Sequence, residues 1–550
     1  MKEPFFNLID EPWIKVMMCD GREDKVSLRD IFSKSQDIRS ILGETVLQDN
    51  AILRVLIAIS VTCFYRYDCN GNELPLQDED DAIERFREIW INKHFPNNFI
   101  GAYLDKWRDS FFLFDGECPF YQIPQEFIKE VKSKVDKKNP TGVTYLVSPF
   151  KDSDKLSWNY AMTFNGEVLQ SGNTVSPFSN KGNEEKNRMT FDEAARWLIY
   201  YMNYADCSSK IPGKWNAGMT FTSSGANIHP VGQNLFETLM LCSVLFDVNG
   251  LLYPQVAPSW ETGNYSEINN SPYGEAMPDN LPELYTQISR KVILHYNDGY
   301  VDGMYTAAGD RFGTVNSFIE PMFAFHADSS DKSGNTKKPS HMPSNCVGWK
   351  EYKNIFMSTP SNPSRWVNAL FDSDILSYDT NIPYGMSDIA YGSMQCGVDY
   401  TTNTRLVLSP KYFIDSVEIN RASEEIEHIN EISSVLKRFG QRIDCAYGAK
   451  KDSKGRLVSK VSNRLVEEYE LSAGGLIESY LRGDMDDLHK LHEEAVKMAE
   501  RVSDRVLEGI NIIGFIGHGD QYIGDAENGL NKDLYLIKKK LGLMEGGEIK

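Results

Sequence analysis

The sequence predicts an α+β protein in two parts: a mixed α/β N-terminal globular domain over residues 1–405, then an all-α C-terminal four-helix bundle over residues 410–550. Three observations predict it. The 550 residues exceed what one ordinary core fills. Strand-like alternation mixes with helical periodicity up to about residue 400. Beyond that point come four helical patterns with few strand signals.

Phe6-Asn7-Leu8-Ile9 and Trp13-Ile14-Lys15-Val16 alternate as strands, and Asp20-Gly21 suits the turn of a hairpin. Ser27 to Asp30 has the Ser-x-x-acid form, in which the hydroxyl accepts an unpaired N–H of the first helical turn. Further helices are predicted over residues 46–67, around Ile83, Phe86 and Trp90, over 194–204 behind a Thr190-Phe191-Asp192-Glu193 cap, and over 235–246. Stretches rich in Gly, Asn, Ser and Pro at residues 210–232, 261–280 and 328–345 read as loops, and loops of that length in a compact domain are usually functional or disordered. No repeat of 20–50 residues recurs, which argues against a solenoid or propeller. In the last part Ile426, Ile429, Ile432, Leu436 and Phe439 recur every three or four residues, as do Leu488, Leu491, Ala495, Met498 and Val502, and then Leu530, Leu534, Ile537 and Leu541. One-sided stripes of this kind bury most economically against one another.

A hydrophobic fraction of 41% and a charged fraction of 25% are those of a folded chain. The most apolar run, residues 51–61, is interrupted by Arg54 and reads as a buried helix shorter than a membrane span. The start, Met1-Lys2-Glu3-Pro4, lacks the build of a signal peptide, so the expectation is a cytoplasmic protein with no membrane partner. Nine cysteines stand singly with no Cys-x-x-Cys pair, which suggests neither a disulfide framework nor a zinc site. The net charge of -20 argues against a free-standing nucleic-acid binder, because such proteins neutralise phosphates with Lys and Arg. Any DNA binding is therefore expected to be confined to a few loops, with neighbouring subunits carrying most of the backbone contact.

Catalytic signatures are missing: there is no phosphate loop, no Gly-x-Gly-x-x-Gly, no Gly-x-Ser-x-Gly, no His-Glu-x-x-His and no His-Asp dipeptide. The expectation is a non-enzyme without cofactor or metal. His489 and His492 stand three apart beside Glu493 and read as an exposed, charged bundle face without metal. His518-Gly519-Asp520 reads as a turn. The run Lys450, Lys451, Lys454, Arg456 and Lys460 suits either phosphate contact or a solvated loop, and Lys538, Lys539 and Lys540 suit a helix C-terminus.

The order of several blocks resembles a known family. Phe6-Asn7-Leu8-Ile9-Asp10-Glu11-Pro12-Trp13-Ile14, Val26-Ser27-Leu28-Arg29-Asp30-Ile31-Phe32, Trp107 with Phe111-Phe112-Leu113-Phe114-Asp115, Pro119-Phe120-Tyr121-Gln122, Leu235-Phe236-Glu237-Thr238-Leu239, Pro258-Ser259-Trp260-Glu261 and Tyr285-Thr286-Gln287-Ile288-Ser289-Arg290 are similar, in that order, to the large subunit of the type I-E CRISPR surveillance complex Cascade, the CasA family. The resemblance covers most of residues 5–400. It implies a non-catalytic subunit whose partners are double-stranded target DNA, the 5′ end of the guide RNA, the other Cascade subunits (backbone, handle-binding and small) and a helicase-nuclease effector. It implies that Phe178-Ser179-Asn180 forms the loop that docks near the guide 5′ end. The flanking motif of the target would be read from the minor groove, where base-specific information is sparse, by a glycine-rich loop, a lysine and a wedge. The loop corresponds to residues 210–218, with Gly213, Lys214 and Asn216. The wedge corresponds to Met394, Gln395, Cys396, Gly397 and Val398. For the lysine, Lys332, Lys337 and Lys338 stay open. The Asn and Gln of some relatives are not matched in register in the wedge, which leaves the accepted motif open. The competing readings are a hydrolase with an unrecognised site and a purely structural scaffold.

Overall fold

The computed structural model describes residues 3–147, 155–168, 181–182, 185–206, 219–262, 277–309, 311–344, 347–357, 362–392, 397–450, 457, 459–510, 517–518 and 522–544. The chain divides into two units. One comprises Met1–Ser344, Ser358–Leu376 and Tyr384–Asn403; the other comprises Asn345–Met357, Ser377–Pro383 and Thr404–Lys550.

In the first unit, β1 (Phe5–Asn7) pairs antiparallel with β5 (Phe112–Phe114). Between them, β2 (Ile14–Met18) turns back into antiparallel β3 (Glu23–Val26) past Gly21, whose φ of +87° resists any side chain. β4 (Ile38–Ile41) completes the order β3-β2-β4. α1 (Leu28–Ser33) starts as the sequence predicts, with the Ser27 hydroxyl accepting from the Asp30 N–H at 3.1 Å.

α2 (Val46–Arg66) is capped by Thr45, which accepts from Gln48 N at 3.2 Å. It is longer than the apolar run of residues 51–61, and by length and composition it would suffice to cross a membrane. The helix predicted over residues 46–67 is thus found, and the expectation that its apolar run is too short for a membrane span is corrected. Its side chains are buried at nearly every position from Leu47 to Phe64, so it serves as the central core helix of this unit. The one cation in its middle, Arg54, pairs with Glu320 at 2.7 Å, both side chains fully buried. Glu320 also accepts from the Tyr285 hydroxyl at 2.9 Å and Met322 N at 3.1 Å, while the guanidinium lies 3.9 Å from the Tyr285 ring centre. α3 (Glu79–Asn92) brings buried Arg85 against the end of α2, where it donates to the Phe64 and Tyr67 carbonyls at the helix C-terminus and to the Leu74 carbonyl in the segment that follows. α4 (Asn97–Lys106) follows.

β6 (Ile128–Lys132) and β7 (Val143–Val147) form a separate antiparallel ribbon. β8 (Ser157–Tyr160) leads into the short α5 (Ala161–Phe164) and then α6 (Phe191–Tyr204). The predicted Thr190 cap differs in its chemistry: the hydroxyl donates to Asp192 Oδ1 at 2.6 Å and makes no bond to the helix backbone. β9 (Asn227–Pro230) lies within the stretch read as a loop, and α7 (Leu235–Cys242) stops before the predicted end. After α8 (Ser259–Thr262) and α9 (Leu281–Tyr285), β10 (Arg290–Asn297) and β11 (Tyr300–Ala308) build the sheet β10-β11-β8. β12 (Phe325–Ala327) and β13 (Lys337–Pro339) close a hairpin, so residues 328–345 also hold a strand where a loop was expected.

α10 (Tyr352–Phe356) belongs to the second unit and α11 (Arg365–Asp372) to the first. β14 (Ile382–Tyr391) and β15 (Val398–Leu408) then form the sheet β15-β14-β9.

The second unit continues with α12 (Lys411–Ile414), α13 (Ser416–Ala446), α14 (Val461–Leu481), α15 (Leu488–Glu508) and α16 (Ile523–Lys540). α13 packs against α14, α15 and α16, and α14 against α15. The α13 stripe is buried throughout; Met498 and Ile537, on the later stripes, are half-buried. Gly440 allows α13 and α14 to touch, since a Cβ there would lie 2.4 Å from the Ser462 backbone.

Candidate nucleic-acid interface

The blocks that carried the family resemblance hold the fold of the first unit together. Asn7 donates to the Arg108 carbonyl and accepts from Ile9 N, Trp13 donates to the Leu8 carbonyl, Gln122 to the Leu113 carbonyl, and Trp260 to the Tyr103 hydroxyl, which itself donates to Glu261. They build the frame on which the candidate loops stand.

Gly213, Lys214 and Asn216, the wedge residues Met394, Gln395 and Cys396, and Phe178, Ser179 and Asn180 lie outside the described residues, as do Lys451, Lys454 and Arg456. What the structure does show is the stems. α6 ends at Tyr204, whose carbonyl accepts from the Tyr391 hydroxyl at 2.6 Å at the end of β14. Two residues on, the Asp206 carboxylate accepts from Gly397 N at 2.7 Å, immediately before β15. Gly392 N donates to the Gly397 carbonyl at 3.0 Å and closes the hairpin. Gly397 has a φ of +68°, a conformation that favours glycine, and a Cβ there would meet only open space. Val398 is half-buried at the start of β15.

On the far side of the glycine-rich segment, Thr220 donates to the Asn203 carbonyl and Thr222 to the Asn203 side chain at 2.9 Å. Buried Arg290 reaches the carbonyls of Ala205 at 3.3 Å and Asp206 at 3.5 Å. Residues 207–218 and 393–396 therefore spring from stems that hydrogen-bond each other. Burial raises the Tyr391 hydroxyl well above its usual range, so it stays protonated and able to donate.

The three candidate lysines differ. Lys332 is exposed at the tip of the β12–β13 turn, which is built by Asp331 accepting from Ser333 and Thr336. Lys337 is on β13, where its backbone N–H donates to Asn316 at 2.7 Å. Lys338 pairs with Asp328 at 2.8 Å, which leaves its charge already matched.

A cationic feature that spacing did not single out lies on the β6–β7 ribbon. Lys129, Lys132, Lys134, Lys137 and Lys138 are all exposed within ten residues, against two acids, Glu130 and Asp136. A count of lysines in a sliding window would have found it.

A cavity of about 190 Å³ in the first unit, lined by Asp49, Asn50, His229, Thr238 and Ser387 among apolar groups, was also not foreseen. Burial raises the Asp49 carboxyl to about 7, against the Gly43 N–H that it accepts at 2.6 Å, and burial lowers the His229 imidazole to about 4. His229 is therefore neutral at pH 7, while Asp49 is divided between its two protonation states. Asp49 and His229 are far apart in sequence, and no local motif joins them.

Of the histidine pair on α15, His489 is exposed, while His492 is buried and hydrogen-bonds Glu425 on α13. Glu493 pairs with Lys497 at 2.8 Å. The pair does not share one exposed face, as the spacing suggested.

The family model described as CRISPR-associated protein Cse1 matches residues 7–507. A CRISPR-associated protein CasA/Cse1 of Thermus thermophilus is 27% identical over 257 residues, 46% of this chain and 42% of that protein, so the match spans less than half of the relative's length. Among solved structures, Thermobifida fusca Cse1 superposes with a TM-score of 0.77 at 19% identity, covering 98% of this chain and 99% of that one. A chain of a CRISPR RNA-guided surveillance complex superposes with a TM-score of 0.61 at 13% identity, covering 98% and 100%. A family model that spans nearly the whole chain, with the same fold over 98% of it, leaves one conclusion: the chain belongs to the Cse1 family of CRISPR-associated proteins, the CasA family.

Proposed function

We propose that this protein is the non-catalytic large subunit of a type I-E Cascade complex, which recognises a short motif flanking the target in duplex DNA and helps open the duplex for guide-RNA pairing. The observation that carries the reading is the joining of two stems: Gly397 N on Asp206 and the Tyr391 hydroxyl on the Tyr204 carbonyl tie the wedge hairpin to the glycine-rich segment. Two loops that rise from bonded flanking segments would suit the minor groove, where shape and a few contacts do the reading. Gly213, Lys214 and Asn216 would line the groove, Met394 to Val398 would enter the adjacent base step, and exposed Lys332 is the lysine best placed to meet a phosphate. Sequence reading is then left to the guide RNA, as in other RNA-guided effectors.

Under this reading the four long helices of the second unit act as a four-helix bundle that contacts the small subunits, Phe178-Ser179-Asn180 docks near the guide 5′ end, and backbone and handle-binding subunits complete the assembly. The helicase-nuclease is recruited to this subunit, and the protein works in the cytoplasm. The net charge of -20 fits a division of labour in which affinity comes from the assembly and discrimination from a few loops.

The test is target binding by the assembled complex with residues 395–398 replaced, comparing matched and scrambled flanking motifs. Loss of discrimination supports the reading, and unchanged discrimination sinks the wedge assignment. The isolated chain should bind DNA weakly and with strong salt dependence.

A further inference from the structure

Two helices of the second unit bring three donor groups to one point. Glu425 and His428 stand three residues apart on α13 and hence on one face. His492 comes from α15. His428 Nδ1 lies 3.2 Å from Glu425 Oε2, and His492 Nε2 hydrogen-bonds that same oxygen. The two imidazole rings are 5.5 Å apart at an angle of 81°. One ligand atom from each of the three residues lies within 4.8 Å of the others, with Glu425 and His492 buried and His428 half-buried.

Tetrahedral ligation at 2.0–2.2 Å from an ion sets neighbouring donor atoms about 3.4 Å apart. The His428–Glu425 separation already meets that spacing, and rotation of short side chains brings in the third. Two imidazoles and one carboxylate, with no thiolate, suit zinc and its neighbours among divalent first-row ions; magnesium and calcium prefer all-oxygen sites. The exposed edge of His428 leaves room for solvent to complete the coordination.

The geometry points to a divalent transition-metal site formed by Glu425, His428 and His492, of the zinc class, which staples α13 to α15. This site is independent of the DNA-reading loops. It also differs in composition from the pair suggested by spacing on α15 alone, because His489 and Glu493 take no part.

The full-length chain, stripped with a chelator and dialysed, is titrated with Zn²⁺ by calorimetry and with Co²⁺ as a spectroscopic probe. One equivalent should bind, Co²⁺ should give visible d–d bands without near-ultraviolet thiolate bands, and the melting temperature should rise with the logarithm of free metal. Glu425→Gln and His428→Asn should each weaken binding at least tenfold, while His489→Asn leaves it unchanged. His428 is half-exposed, so its variant should keep the fold, which circular dichroism and the metal-free melting temperature check. No stoichiometric uptake at micromolar Zn²⁺, uptake that survives both substitutions, or thiolate bands in the Co²⁺ spectrum would each overturn the site.

Discussion

The backbone amide of Gly397 donates to the carboxylate of Asp206 at 2.7 Å across 191 residues of sequence, and this bond joins the stems of two loops that the proposed function uses together. Asp206→Ala removes the acceptor of this bond and leaves the Tyr391–Tyr204 bond in place. Target affinity of the assembled complex for a matched flanking motif should fall about tenfold, or about 1.4 kcal/mol, with a smaller loss for a scrambled motif. The melting temperature of the isolated chain should change little, which separates a loop defect from a folding defect. An equal loss on both motifs would argue against coupled loops.

The β6–β7 ribbon offers a second handle on DNA binding. If Lys132, Lys134 and Lys138 meet phosphates, replacing all three with Ser should reduce the slope of log affinity against log salt by about 2–3. Motif discrimination should be preserved. An unchanged slope would make the ribbon a solvated surface.

Arg54 and Glu320 test the core. A buried pair broken on one side leaves an uncompensated charge, so Arg54→Met should destabilise the first unit by about 3–5 kcal/mol. Glu320→Gln added to that background should recover part of the loss, because Gln is neutral and still accepts from the Tyr285 hydroxyl and Met322 N. Urea denaturation of the four proteins gives the coupling directly. Additivity would show that the pair does not interact energetically.

Glu44 sets the acid side of the pH profile. Burial by itself would raise its carboxyl, but Arg196 and Lys15 hydrogen-bond it and hold it at about 2. A folded-state value below the unfolded one contributes stability that is present above about pH 4.5 and lost as the pH falls toward 2. Glu44→Gln should therefore cost about 3 kcal/mol at pH 7 and much less near pH 2. Urea midpoints across that range measure it.

Asp49 works in the opposite sense. Its folded-state carboxyl is raised to about 7, so the folded chain takes up a proton that the unfolded chain has released, and stability falls as the pH rises from about 4 to about 7. Asp49→Asn keeps an oxygen for the Gly43 N–H and removes the titration. The variant should be more stable than the parent at pH 8, by on the order of 2–4 kcal/mol, and similar to it near pH 4. A variant less stable at both values would refute a burial-raised carboxyl.

The helical stripes were legible because periodicity is local: residues 426–439 repeat every three or four positions, and each of them faces inward. The Ser27 cap was legible for the same reason. Thr190 shows where such reading stops, since a hydroxyl predicted to cap a backbone N–H found Asp192 two residues away. The strand at 227–230 was lost because its partner lies more than 150 residues away, and the one at 337–339, though it pairs locally with 325–327, because three residues in Gly- and Asn-rich sequence are too few to show alternation. Polar nodes such as Arg196 with Glu44, 152 residues apart, carry no local signature at all. His492 makes the same point, because spacing grouped it with His489 and burial gave it to Glu425. Of the candidate interface, the loops are an assignment from family resemblance, and the structure supplies the bonds between the segments that flank them.

The burial of α2 also sets a schedule for biosynthesis. Glu320, which neutralises Arg54 at the centre of this helix, is translated 266 residues after it. At 5–20 residues per second the apolar helix waits roughly 13–50 s for its counter-ion. Throughout that interval its apolar surface is uncovered, and by length and composition it is apolar enough to cross a membrane. Arg54 is the feature that opposes insertion while the rest of the core is still being made.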